Sequence, residues 1–224
     1  MENEAKIVYP ATTAYVRTLL PKSEGYLLRL EEEAHRDGVP IIQPEVAQYM
    51  RVLMQLHRPT RILEIGAATG YSASVMALSL PAGEIDTIEL NAETARIAAE
   101  HFEELATFHP EVSVRLHVGP AEAVISDLKG PYDFVFIDAA KAHYSAFFEG
   151  AYPLVRPGGL IVSDNVLFRG MITDDALILP KYKTIVKRMR QYLEMISEHS
   201  RLTTSILSIG DGVALSYKRE ADGA

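Results

Sequence analysis

From Ile62 to Val162 the chain alternates short apolar runs with longer mixed segments. The runs are RILEIG (61–66), EIDTIEL (84–90), VSVRLHV (112–118), YDFVFID (132–138) and GLIVSD (159–164). They read as strands, and the segments 71–80, 92–107, 120–128 and 142–152 between them read as helices. Short, continuously apolar strands alternating with helices predict a parallel sheet covered on both faces. Right-handed crossovers make that a Rossmann-like, doubly wound α/β fold. Ahead of it, residues 11–57 have helical composition punctuated by Pro21, Gly38-Val39-Pro40 and Pro44, which predicts two or three helices packed on the core. After it, Tyr182 to Ser197 reads as a helix with Ile185, Met189, Tyr192 and Ile196 on one side. LTTSILSIG and GVALSYKR then flank the turn Gly210-Asp211-Gly212, which predicts an antiparallel hairpin. The expectation is one domain over 1–224 with a seven-stranded, mostly parallel sheet, residues 1–57 forming a helical extension.

Composition narrows the function classes. The 224 residues are 48% hydrophobic and 23% charged, as in an ordinary globular domain. No apolar run approaches the roughly 20 residues needed to cross a bilayer, so no membrane partner is expected. The opening MENEAKIVYP lacks a basic region followed by an apolar one, so no secretory signal is expected. The absence of cysteine excludes disulfides, thiolate ligands and thiol nucleophiles, and fits a cytoplasmic protein. A net charge of −8 disfavours general nucleic-acid coating. Yet Arg169 to Arg190 holds six basic residues against two acidic ones, a local +4 that leaves −12 elsewhere.

The first strand ends in ILEIGAATGYS, which places Gly66 and Gly70 directly before a helix. Glycine allows tight turning and close approach of a ligand to the backbone. The Gly-x-x-x-Gly spacing departs from the dinucleotide fingerprint, so pyrophosphate is disfavoured. Glu89 ends the next strand about 20 residues on, where an acid can hold both hydroxyls of a ribose. A turn for helix–strand packing plus a solvated acid is the plainer alternative.

In a doubly wound fold, ligands sit outside the carboxyl ends of the strands. Asp138 and the pair Asp164-Asn165 fall at the ends of the fourth and fifth strands, which should be neighbours. Together they offer hard oxygen ligands suited to Mg²⁺. Separately, each also suits an ordinary turn. Lys141, three residues past Asp138, could orient a substrate hydroxyl or take its proton, or be a surface lysine at a helix start. The seven histidines show no ligand-like pair.

The glycine loop and its acidic partner resemble motif I of class I S-adenosylmethionine-dependent methyltransferases. That resemblance implies that Glu64 and the loop 66–72 lie at the methionine end, Ser72 contacting its carboxylate, with Glu89 on the ribose. ILEIGAATGYS, IDTIEL, FIDAAKAHY and SDNVLFRG together resemble the metal-dependent O-methyltransferases that include the catechol and caffeoyl-coenzyme A enzymes. There the metal ligands map onto Asp138, Asp164 and Asn165, and the catalytic residues onto Lys141 and Asp138. GVPII, DNVLFRG and IGDGVALSYKR resemble more narrowly the bacterial tRNA 5-hydroxyuridine methyltransferases, which make 5-methoxyuridine at the wobble position. This implies a cofactor lined by Ile42, Ser72, Glu89 and Ala121, with Asp138 shared between cofactor and metal. It also implies a homodimer, with the N-terminal helices as candidates for its interface, and the tRNA anticodon loop as partner. Pro120 departs from that family's usual aspartate and offers no N–H, which leaves adenine to Ala121 N–H and packing.

The implied reaction is an in-line methyl transfer to a hydroxyl next to a second oxygen. A 5-hydroxyuridine and a catechol both supply that pair. Lys183, Lys187 and Arg190 fall on one helical stripe opposite the apolar side, a solvent-facing surface for phosphates to which Arg169 adds a fourth cation. A catechol-like or hydroxycinnamoyl small molecule is the alternative acceptor. A non-catalytic S-adenosylmethionine-binding protein is the alternative class.

Overall fold

Each apolar run forms a strand in the computed structural model, which describes residues 9–220. The strands are β1 (Arg61–Ile65), β2 (Gly83–Glu89), β3 (Val112–Val118), β4 (Tyr132–Ile137), β5 (Val155–Ser163), β6 (Leu202–Leu207) and β7 (Val213–Lys218). The helices are α1 (Pro10–Leu19), α2 (Gly25–Asp37), α3 (Pro44–His57), α4 (Tyr71–Ala77), α5 (Ala92–Phe108), α6 (Ala121–Asp127), α7 (Tyr144–Ala151) and α8 (Lys183–Glu198). The sheet has seven strands in the order β3-β2-β1-β4-β5-β7-β6. The expected Rossmann-like class, the C-terminal hairpin and the extra N-terminal helices are all present. Among the described residues no helix is long and apolar enough to cross a membrane.

The chain divides into two compact units, residues 19–128 and residues 129–220 together with residues 9–18, all of α1 but its last residue. In the first, β1, β2 and β3 run parallel, Ile65 opposite Ile88 and Glu89 opposite Val118. The punctuation of the N-terminal region has clear physical roles. Gly38 ends α2 in the left-handed conformation (φ 68°), and Pro44 opens α3, where its missing N–H costs nothing. Asn91 caps α5 by accepting the N–H groups of Glu93 and Thr94 at 2.9 and 3.1 Å, worth about 1 kcal/mol. Helices α2 and α3 pack on α4, while α1 has no buried residue.

In the second unit β4 and β5 are parallel, β7 runs antiparallel to β5, and β6 completes the hairpin. β5 begins at Val155, four residues before the apolar run suggests. The register slips there, with Tyr132 opposite Val155 but Phe134 opposite Leu160. Pro157, Gly158 and Gly159 sit in this bulge, where apolar alternation is lost, so the strand start leaves no hydrophobic trace. Residues 168–182, which show no period, form three short 3₁₀ turns around a cluster of Phe168, Met171 and Val186. Ile172, Leu177, Ile178, Tyr182 and Ile185 pack against it.

Gly70 tests the packing of the first loop. Its φ is +88°, and an added Cβ would lie 2.7 Å from the Phe102 ring of α5. Left-handed strain of about 1–2 kcal/mol and overpacking of about 1–3 kcal/mol should both oppose Gly70→Ala. At a few degrees per kcal/mol for a domain of this size, the melting temperature should fall by roughly 5–15 °C in calorimetry.

Candidate functional site

The unit 19–128 presents a loop and an acid at the carboxyl ends of β1 and β2. Gly66 (φ 105°) and Gly70 (φ 88°) let the loop turn, and Ala68 is left-handed as well (φ 46°). The N–H groups of Gly66 and Ala67 both donate to Ile88 C=O, at 2.9 and 3.0 Å. Glu89 then closes the loop: Oε2 accepts Ala68 N–H and Oε1 accepts Asn91 N–H, each at 2.8 Å. Each carboxylate oxygen has two acceptor positions, so these bonds orient Glu89 and leave capacity for hydroxyl donors. Gly119 N–H donates to Glu89 C=O at 2.9 Å, which brings the 119–121 turn to the same strand end. Pro120 is the N-cap of α6, and Ala121 is its first residue.

Three other sequence-predicted residues lie deeper. Glu64 is fully buried in β1 and accepts the hydroxyls of Ser72, at 2.5 Å, and of Thr87. The Ser72 proton is therefore committed to Glu64, and Ser72 itself is 8% exposed. Ile42 is buried ahead of α3. His101 braces the loop from behind, one ring nitrogen 2.7 Å from Thr69 C=O and the other 2.9 Å from Glu33. Sequence reasoning passed over His101 and Thr87, since a histidine inside a helix and a threonine inside a strand carry no local signal.

The second unit brings together four predicted groups. Ile137 pairs with Ser163, so the next residues, Asp138 and Asp164, leave neighbouring strand ends. Asp164 N–H donates to Ile137 C=O at 3.0 Å. Its carboxylate is wholly buried: Oδ1 accepts Asn165 N–H at 2.7 Å, and Oδ2 has no hydrogen-bond partner. Lys141, in a 3₁₀ turn, donates to Asn165 Oδ1 at 3.0 Å and lies 3.8 Å from Asp138 Oδ1. Beneath, Tyr144 OH donates to Asp164 C=O at 2.8 Å, and Tyr192 OH lies 2.5 Å from Ser163 Oγ. The two rings meet edge to face at 5.5 Å. Both phenols are pushed up, Tyr144 by burial and then by Asp138 and Asp164, so they stay neutral.

Two carboxylates and an amide oxygen, one carboxylate oxygen buried and unmatched, fit a hard divalent cation. Asn165 Oδ1 has a second lone pair beyond the Lys141 bond. Among the described residues no three His, Cys, Asp or Glu side chains gather as a cation site, so this pair with its amide is the set available.

The basic stripe is narrower than the helical period predicts. Lys183 and Lys187 are exposed, as is Arg169. Arg190 does not face solvent freely: Nε donates to Ile172 C=O at 2.8 Å and Nη1 to Asp175 at 2.6 Å. The folded 168–182 segment, invisible to a helical wheel, claims that guanidinium. Arg188 also donates to backbone, at Ala142 C=O (3.1 Å).

A family model described as O-methyltransferase matches residues 22–219. A catechol O-methyltransferase of Niastella koreensis is 31% identical over 220 residues, 93% of this chain and 96% of that protein. Caffeoyl-CoA O-methyltransferase 3 of Nicotiana tabacum is 28% identical over 218 residues, 91% of this chain and 86% of its own. Among solved structures, an O-methyltransferase from Bacillus cereus in complex with SAH superposes with a TM-score of 0.80 at 29% identity, over 93% of this chain and 97% of that one.

Burial, then the Asp138 charge, raises the Asp164 carboxyl from its ordinary 3.8 to about 7. Burial raises Asp138 too, with Lys141 opposing. The folded chain therefore holds protons that the unfolded chain has released between those two values. Stability of the cation-free protein is lost as pH rises through that window. Thermal melts in chelator should fall from pH 5.5 to pH 8, and Asp164→Asn, which has no charge to bury, should flatten the fall. A wild-type melting temperature that rises over this range would contradict the electrostatic picture.

Proposed function

Because the chain belongs to the O-methyltransferase family of the catechol and caffeoyl-coenzyme A type, we propose that it moves the methyl group of S-adenosylmethionine to a hydroxyl that sits beside a second oxygen. The observation that carries this reading is the cluster of Asp138, Asp164, Asn165 and Lys141 at the ends of β4 and β5. We take residues 1–224 as one catalytic domain, with Asp138 shared between cofactor and cation.

On the donor side, Glu89 meets the ribose hydroxyls with the acceptor capacity its backbone bonds leave. The loop 66–72 offers backbone at the methionine end, held by Glu64 and Ser72 from within. Ile42 packs on the cofactor, and Ala121 N–H serves adenine. S-adenosylmethionine itself supplies an electrophilic methyl group.

On the acceptor side, Asp138, Asp164 and Asn165 hold a divalent cation, taken as Mg²⁺. When bound, that cation would supply Lewis acidity to the acceptor hydroxyl. Lys141, tethered to Asn165, orients the acceptor hydroxyl and handles its proton. Orientation contributes much of the rate, because it makes a bimolecular step effectively unimolecular.

The finer acceptor is 5-hydroxyuridine at the tRNA wobble position, giving 5-methoxyuridine. The exposed cations Arg169, Lys183 and Lys187 support it, as phosphate contacts need such a surface. Arg190 contributes less directly, through the loop it holds. A catechol-like or hydroxycinnamoyl acceptor is the second reading, favoured by the names of the relatives. The exposed apolar residues of α1, Tyr15 and Leu19 (each 65%), support a homodimer. The cysteine-free composition supports a cytoplasmic location.

Purified protein, S-adenosylmethionine and Mg²⁺ should be offered tRNA carrying 5-hydroxyuridine, a catechol and caffeoyl-coenzyme A in parallel, with products read by mass spectrometry. Methylation should fall by more than about 100-fold in EDTA and in Asp164→Ala, the several kcal/mol a cation contributes. Turnover unchanged in both would remove the cation from the mechanism. Turnover of catechol but not of tRNA would select the second reading.

A further inference from the structure

The chain leaves β5 through a backbone that L-residues rarely adopt. Asn165, Phe168 and Arg169 have φ values of 55°, 44° and 56°, and Gly170 follows at 75°. Left-handed non-glycine residues cost roughly 1–3 kcal/mol each and persist only where the surroundings over-determine them. Here the surroundings are the turn between β6 and β7. Val166 N–H donates to Gly212 C=O and Leu167 N–H to Asp211 C=O, both at 2.9 Å. Arg169 N–H donates to Asp211 Oδ1 at 2.5 Å. The turn can approach this closely because residue 212 is glycine: a Cβ there would lie 2.2 Å from Leu167 Cγ.

Asp211 supplies the one side chain among these three bonds. Burial raises its carboxyl, while Arg169 N–H, Lys141 and the Arg169 charge oppose that rise. Its charge is also felt by Asp164, so it lies close to the acidic pocket. Its carboxylate nevertheless accepts a backbone N–H, that of Arg169. The sequence shows it only as the middle of a hairpin turn, where aspartate is common for local reasons.

We propose that Asp211 is a positioning residue for the acceptor half of the site: its carboxylate holds Arg169 N–H and so fixes the left-handed backbone that presents the Asn165 amide beside Asp164 and Lys141. In this role it acts through Asn165 rather than on substrate or cation. The role rests on the cation-binding reading above, and its test separates the two.

Wild type, Asp211→Ala, Asp211→Asn and Asp211→Glu are compared as full-length protein, with Mn²⁺ as probe. Mn²⁺ affinity is read from the free-ion signal in electron paramagnetic resonance, and amide exchange over 165–170 by mass spectrometry. Asp211→Ala should speed exchange in that segment and weaken Mn²⁺ by about 10–100-fold, the usual effect of losing a group that orients a metal ligand. Asp211→Asn keeps an acceptor oxygen at the same reach and should recover most of the affinity. Asp211→Glu keeps the charge but displaces the oxygen, so it should recover less. That order holds even if the alanine variant fails to fold. Unchanged exchange, equal Mn²⁺ affinity in Asp211→Ala and wild type, or glutamate outperforming asparagine would each overturn the positioning role. Wild-type protein that binds no Mn²⁺ would overturn the cation reading itself, and this role with it.

Discussion

Asp164 sets the terms for the acidic pocket. Its carboxylate is fully buried, one oxygen is bonded to Asn165 N–H, and the other has no partner. A second carboxylate, Asp138, raises the cost further by repulsion. Such an arrangement is unfavourable for a protein that only needs to fold, because a buried charged group without compensation costs several kcal/mol. Lys141 offsets part of it, at 3.8 Å from Asp138 and bonded to Asn165. The remaining imbalance is one that the proposed divalent cation would offset.

The surroundings of Asp164 are built to keep that imbalance in place. Parallel pairing of β4 and β5 fixes both aspartates at adjacent strand ends. Tyr144 and Tyr192, both buried, bond to Asp164 C=O and Ser163 Oγ and pack edge to face beneath. The β6–β7 turn holds the strained exit of the chain. At the glycine loop the same economy recurs. Glu89 is oriented by two backbone N–H groups, and Glu64 by two hydroxyls. Orientation of this kind lowers the ordering cost of binding.

Much of this was legible in the sequence because it follows strand ends. Reading YDFVFID and GLIVSD as adjacent parallel strands was enough to bring Asp138 and Asp164 together, and reading EIDTIEL as the next strand carried Glu89 to the glycine loop. Groups that act across the chain left no such trace. Tyr144 is one apolar position in a helix, and Asp211 is one polar position in a turn. Arg190 shares a helical stripe with Lys183 and Lys187, yet the aperiodic segment 168–182 folds back and takes its guanidinium. The early start of β5 escaped for a related reason, since Pro157 and two glycines interrupt its apolar pattern.

Crystals of the protein soaked in Mn²⁺, with anomalous differences collected near the manganese edge, address the pocket most directly. One strong peak should stand between the Asp138 and Asp164 carboxylates and the Asn165 amide oxygen, with ligand distances of about 2.0–2.3 Å and one bond to the now unmatched Asp164 Oδ2. An absence of density there at saturating Mn²⁺, or a peak held by other residues, would contradict the account.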